Sequence, residues 1–130
     1  MQPQQPPKPT STELDILRVL WDRGPSTVRE VYDVLARSRP IGYTTVLKLL
    51  QIMTGKGSVI RNEDARAHVY EARQPAENTK RQLVGDLLQR AFAGSASQLM
   101  LHALADKKTS REEIEEIRRM LDEFEGGRND

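Results

Sequence analysis

The stretch from Tyr43 to Thr54, YTTVLKLLQIMT, holds the side chains of this chain best suited to recognition chemistry. Val46, Leu49, Leu50 and Met53 fall at i, i+3, i+4 and i+7, the spacing of one buried helix face. Thr44, Leu47, Lys48 and Gln51 then point outward, with Thr45 on the flank. A lysine can donate to guanine O6 and N7, a glutamine can pair with adenine, and threonine offers both a hydroxyl and a methyl, so this face could read base edges in a major groove. One of these residues is charged, which means that anchoring on phosphates must come from elsewhere. The candidates are Arg29 near the start of the preceding helix, Lys56 just after this one, and Arg61, Arg66 and His68 around a following hairpin. Such contacts position a protein on the backbone without reading sequence. The same residue types also make an ordinary solvated helix face, and spacing alone leaves both readings open.

Other chemistries find little support. The chain of 130 residues has no cysteine, which removes disulfides, thiolate metal sites and cysteine nucleophiles and suits a reducing compartment. Its two histidines, His68 and His102, lie in different regions and cannot by themselves build a zinc site. His102 sits beside an apolar stripe, where a hydrogen-bonded interface histidine is expected rather than a metal ligand. There is no Gly-rich phosphate loop and no HExxH. The carboxylates of REEIEEIRRMLDEFE alternate around an amphipathic helix as its solvated face. No catalytic residue, metal or cofactor is expected, and the chain does not read as an enzyme. No apolar run approaches a membrane span, and Met1 to Pro9 lacks the pattern of a secretory signal, so a cytoplasmic protein without membrane insertion is expected. The net charge of +1 divides unevenly: residues 1–74 carry eleven Lys/Arg against eight Asp/Glu, and residues 75–130 nine against eleven. The mild positive excess in the first part suits a polyanionic partner.

The elements that must position the reading face can be followed along the chain. Met1 to Pro9 is Gln/Pro-rich and predicts a disordered tail. A capping box at Thr10 and Glu13 opens a first helix, with Leu14, Leu17, Leu20 and Trp21 on its apolar face and Gly24-Pro25 at its end. A second box, Thr27 with Glu30, opens a helix that buries Val28, Val31, Tyr32 and Leu35 and stops near Ser38, before Pro40. The third helix runs from about Tyr43 to Thr54, ended by Gly55 and Gly57. Two short strands, Ser58 to Arg61 and Ala67 to Ala72, form a hairpin. Helical periodicity resumes after Pro75 with Leu83, Val84, Leu87, Leu88, Ala91 and Phe92. A short helix then carries Leu99, Met100, Ala103 and Leu104, and a last one, opened by Ser110 and Glu113, carries Ile114, Ile117, Leu121 and Phe124.

In order, ELDILRVLW, GPSTVREVYDVL, GYTTVLKLLQIMTGKGSV and AHVYEA resemble the penicillinase repressor family, which includes the β-lactamase, methicillin-resistance and copper-transport repressors. The similarity runs from about Thr10 to Phe124, and its most specific pieces are Trp21 and YTTVLKLLQ. The resemblance implies a winged helix domain whose third helix is the recognition helix, with Thr45 and Lys48 where relatives contact bases or adjacent phosphates. It implies a wing that places Arg66 near the backbone, and a dimer interface made by the last three helices. Leu47 and Ile52 stand where some relatives carry arginine. The copper-responsive members bind metal through C-terminal cysteines, which are absent here. The β-lactam-responsive members imply a partner membrane metalloprotease sensor system and cleavage in the dimerisation region. The scissile Asn-Phe of those relatives falls at His102-Ala103, so the identity of the bond is not retained.

Dimerisation also follows from the pattern itself. Leu83, Leu87, Leu99, Met100, Ile114, Ile117, Leu121 and Phe124 offer more apolar surface than three short helices can bury among themselves, and a second copy could cover the remainder; packing back onto the first domain is the alternative. The expected fold is mostly α with a small β-hairpin: a disordered tail (1–9), an N-terminal winged helix-turn-helix (10–74), a C-terminal helical dimerisation region (75–125) and a flexible end (126–130). The expected function is a homodimeric repressor on pseudo-palindromic, double-stranded operator DNA. The competing reading is a winged-helix protein–protein module without DNA affinity.

Overall fold

The computed structural model describes residues 7–64, 66–105 and 108–128. In chain order the elements are α1 (Ser11–Arg23), β1 (Ser26–Thr27), α2 (Val28–Ala36), α3 (Tyr43–Lys56), β2 (Val59–Asn62), β3 (Val69–Ala72), α4 (Ala76–Phe92), α5 (Ala96–Ala105) and α6 (Arg111–Arg128). The chain divides into two compact units, residues 1–85 and 86–130. The first includes the first half of α4.

Both expected capping boxes form. The Thr10 hydroxyl accepts from the Glu13 N–H at 3.2 Å and the Glu13 carboxylate accepts from the Thr10 N–H at 2.9 Å. Thr27 and Glu30 repeat this geometry at the start of α2. Each reciprocal pair satisfies two backbone donors that a helix start leaves open, and each contributes about 1 kcal/mol. Helix α1 ends at Gly24, whose φ of +89° a residue with a Cβ adopts only under strain.

The core of the first unit is formed by Ile16, Leu17, Val19 and Leu20 of α1, Val28, Val31 and Leu35 of α2, Val46, Leu50 and Met53 of α3, and Val59 and Tyr70 of the sheet. Ile16 and Val19 extend the apolar face of α1 beyond the expected stripe, because that helix is covered by α2 on one side and by β3 on another. Leu14, Trp21, Tyr32 and Leu49, expected in the core, are partly buried at its margin.

The sheet has three strands, not the two of a simple hairpin. Its order is β1-β3-β2, antiparallel throughout. Ser26 and Thr27 pair with Tyr70 and Val69, so the residues that launch α2 also close the free edge of β3. A two-residue strand carries no periodicity, which is why pattern reading misses it. The observed strands β2 and β3 are also shifted from the expected spans, to Val59–Asn62 and Val69–Ala72.

The tail expected over residues 1–9 lies mostly outside the described residues. Pro7 and Pro9, which are described, line a small cavity with Leu17, Ser58, Gln74, Thr79 and Gln82. The Trp21 indole Nε1 donates to the Gln74 carbonyl at 2.9 Å, which fastens the end of α1 to the segment that leads into α4.

In the second unit, Gly94 ends α4 in the left-handed region, with its N–H on the Leu88 carbonyl at 2.9 Å. Ser95 caps α5 and Ser110 caps α6 through the backbone N–H groups of Gln98 and Glu113. Helix α6 continues to Arg128, beyond the flexible end expected from residue 126. None of the described side chains of α5 and α6 is fully buried.

Candidate nucleic-acid interface

Helix α3 is held from inside by Val46, Leu50 and Met53, each fully buried. Thr44, Thr45, Lys48, Gln51 and Ile52 are exposed, which is the polar face expected from the sequence. Leu47 differs. It is half-buried and packs against the core, where it lines a hollow with Thr27, Val28, Arg29, Tyr43, Ala67, His68 and Tyr70. Leu47 sits on the edge of the face toward the wing rather than at its centre. Helix α3 also runs on to Lys56, through Gly55, and ends at Gly57, whose φ of +84° makes it the left-handed cap. The expected stop at Gly55 is corrected: a glycine inside the last turn weakens a helix by about 1 kcal/mol but does not break it when Met53 anchors the turn.

The five supporting residues are in different situations. Arg66 is exposed in the β2–β3 loop and, among the described residues, makes no ion pair. His68 is exposed at the base of the same loop. Arg61 is bound to Glu63 at 2.7 Å within the wing, so part of its charge is neutralised. Arg29 is exposed, its guanidinium carbon 5.7 Å from the centroid of the Tyr43 ring. Lys56 has an ion partner on α1: its Nζ lies 2.9 Å from Oε2 of Glu13.

Glu13 is 3% exposed. Burial pushes its carboxyl pKa up, but the Thr10 N–H, the Lys56 ammonium and the Thr10 hydroxyl together outweigh that and hold it below the ordinary 4.5. Glu30 is likewise held low, by the Thr27 backbone and hydroxyl, with Arg23 at 2.9 Å adding its charge. Capping-box spacing announces both carboxylates; the Lys56 partner, 43 residues along the chain, has no local signal.

Sequence reasoning also missed an aromatic contact at the start of α3. Tyr43 and Tyr32 pack edge to face with centroids 5.7 Å apart. Unlike α1 and α2, α3 has a glycine, Gly42, at its N-cap, which gives no side-chain cap.

The residues expected at a dimer interface are spread over α4 to α6. Leu83, Leu99, Ile114 and Ile117 are half-buried, and Leu87, Met100, Leu121 and Phe124 are exposed, Phe124 by 73%. His102 and Ala103 are exposed on α5, and the His102 ring lies 5.5 Å from that of Phe92. Among the described residues no group of His, Asp or Glu is arranged to hold a metal ion, and no helix is long and apolar enough to cross a membrane.

Two helices joined by a short turn, a third helix with an exposed polar face, and an antiparallel wing beside it define a winged helix-turn-helix protein. The sequence profile of the penicillinase repressor family matches residues 9–123. The transcriptional regulator BlaI of Mycobacterium tuberculosis is 32% identical over 117 residues, covering 88% of this chain and 83% of that protein. The penicillinase repressor of Bacillus licheniformis is 23% identical, covering 90% and 91%. The methicillin resistance regulatory protein MecI of Staphylococcus aureus is 19% identical, covering 86% and 91%. Among solved structures, the monomeric form of Bacillus licheniformis BlaI, in complex with the blaP half-operator, superposes with a TM-score of 0.51 at 20% identity, over 57% of this chain and 90% of that one. The chain belongs to the penicillinase repressor family.

Proposed function

We propose that the chain is a DNA-binding transcriptional repressor, and that two copies grip a pseudo-palindromic operator. The observation that carries this reading is the outer face of α3, where Thr44, Thr45, Lys48 and Gln51 are all exposed while Val46, Leu50 and Met53 fix the helix from beneath. Helix α3 enters the major groove, Lys48 and Gln51 meet base edges, and Arg66 meets the phosphate backbone beside the groove. The names of the relatives support the reading, and so does the half-operator described with the Bacillus licheniformis protein.

The exposed Leu87, Leu121 and Phe124 support self-association through α4 to α6, since a stable interface of this kind buries on the order of 2,000 Å². A two-fold dimer places its recognition helices on half-sites about 34–36 Å apart, or a multiple of that. Cleavage at His102-Ala103 by a membrane metalloprotease system would release the repressor by severing α6 from the rest of the interface and removing bivalent binding. The protein is taken to act in the cytoplasm, without catalysis of its own.

The test is selection of bound duplexes from a random pool with the full chain, followed by titration of the winning duplex. Enrichment of a two-fold sequence, and an affinity falling about 10³–10⁵-fold between 50 and 200 mM salt for roughly 6–10 phosphate contacts, is expected. No enrichment, with salt-independent binding, would assign the domain to protein–protein contacts instead.

A further inference from the structure

Arg29 and Tyr43 belong to different helices, α2 and α3, and their side chains meet at the rim of one hollow of about 300 Å³ whose opposite side is formed by Ala67 and His68 of the wing. The guanidinium lies 5.7 Å from the Tyr43 ring centroid. The ring has a second aromatic contact, edge to face with Tyr32 at 5.7 Å and 70°, which restricts its orientation. Among the described residues Arg29 has no carboxylate partner, whereas Arg23, Arg39, Lys56 and Arg61 are each bound to one. An arginine kept out of ion pairs and held over an aromatic ring retains all its donors in the guanidinium plane, and that plane matches the fork of a phosphate.

We infer that Tyr43 is a positioning residue: it holds the Arg29 guanidinium where that group takes one backbone phosphate of the bound duplex, above the hollow between α2, α3 and the wing. This rests on the DNA-binding reading given above. It assigns to Tyr43 a task that its place at the head of the reading helix does not suggest, since its own hydroxyl need touch nothing. It also accounts for an aromatic residue left 42% exposed at the one end of α3 that turns toward α2. The hydroxyl is dispensable for such a task and the ring is not. Freed of the ring, the arginine would sample its many rotamers and lose part of its binding energy to ordering.

The test uses the full chain and a labelled duplex enriched by it from a random pool. Affinity is measured across salt concentrations for Tyr43→Leu, Tyr43→Phe and Arg29→Gln, and for the double variant Arg29→Gln/Tyr43→Leu. Arg29→Gln should lower the slope of log affinity against log salt by about 0.9 for each protomer engaged, the value of one phosphate. Tyr43→Leu should weaken binding about two- to fivefold for each protomer engaged, the value of one exposed cation–ring contact apiece, and Tyr43→Phe should restore it. In the Arg29→Gln background Tyr43→Leu should change nothing further. Melting curves on the same samples show whether each variant is folded at the assay temperature. Equal losses from Tyr43→Leu with and without Arg29, or an unchanged salt slope in Arg29→Gln, overturn the assignment while leaving DNA binding intact. A wild-type chain that enriches no duplex overturns both.

Discussion

Lys56 offers the sharpest test of how this domain uses its charges, because the sequence expectation gives it to phosphate while its ammonium meets Glu13 in the folded chain. The perturbation is Lys56→Met, which keeps the aliphatic stem and removes the ammonium. Glu13 then stays buried with the Thr10 N–H and hydroxyl but without its ion partner. Breaking a fully buried pair costs about 3–5 kcal/mol, but the Lys56 side chain is 35% exposed and water screens the pair, so we expect about 1–2 kcal/mol at neutral pH. The dependence on pH has a fixed sign. Glu13 has a folded pKa below its unfolded value of 4.5, so its contribution is complete above that value and is lost as pH falls through the folded pKa. The stability gap between wild type and Lys56→Met should therefore be largest near neutrality and close on acidification. Urea titrations at several pH values, at one fixed protomer concentration, measure this gap. The operator salt slope of Lys56→Met should match that of wild type. A pH-independent gap would rule out the pairing of Lys56 with Glu13 as its contribution to stability, and a slope lowered by about 0.9 would return Lys56 to the phosphate backbone.

Two further outcomes follow from the packing of α3. Leu50 is fully buried, so Leu50→Ala should cost about 2–5 kcal/mol in chemical denaturation, with loss of operator binding only where the domain unfolds. Gly57→Ala meets no nearby atom closer than the Arg73 Nε at 3.9 Å, yet it places a Cβ at φ +84°; a loss of about 1 kcal/mol, seen as a lower Tm, should come from backbone strain alone.

Much of this protein was legible one segment at a time. The boxes at Thr10/Glu13 and Thr27/Glu30 set the starts of α1 and α2 because a side chain and a backbone donor three residues apart need no distant partner. The i, i+3, i+4, i+7 run through Val46, Leu50 and Met53 fixed which side of α3 is buried and therefore which side carries Thr44, Lys48 and Gln51. Other features required the chain to be folded. Strand β1 exists only because β3 passes beside Ser26 and Thr27. Leu47 is drawn toward the hollow because the wing lies there, and Lys56 is engaged because α1 presents Glu13 to the end of α3. The contacts of Arg29 with Tyr43 and of Tyr43 with Tyr32 join two helices across a turn. Local sequence encodes periodicity and caps, which depend on neighbours within one helical turn. Which charge finds which partner depends on segments far apart in the chain, and only packing brings those together.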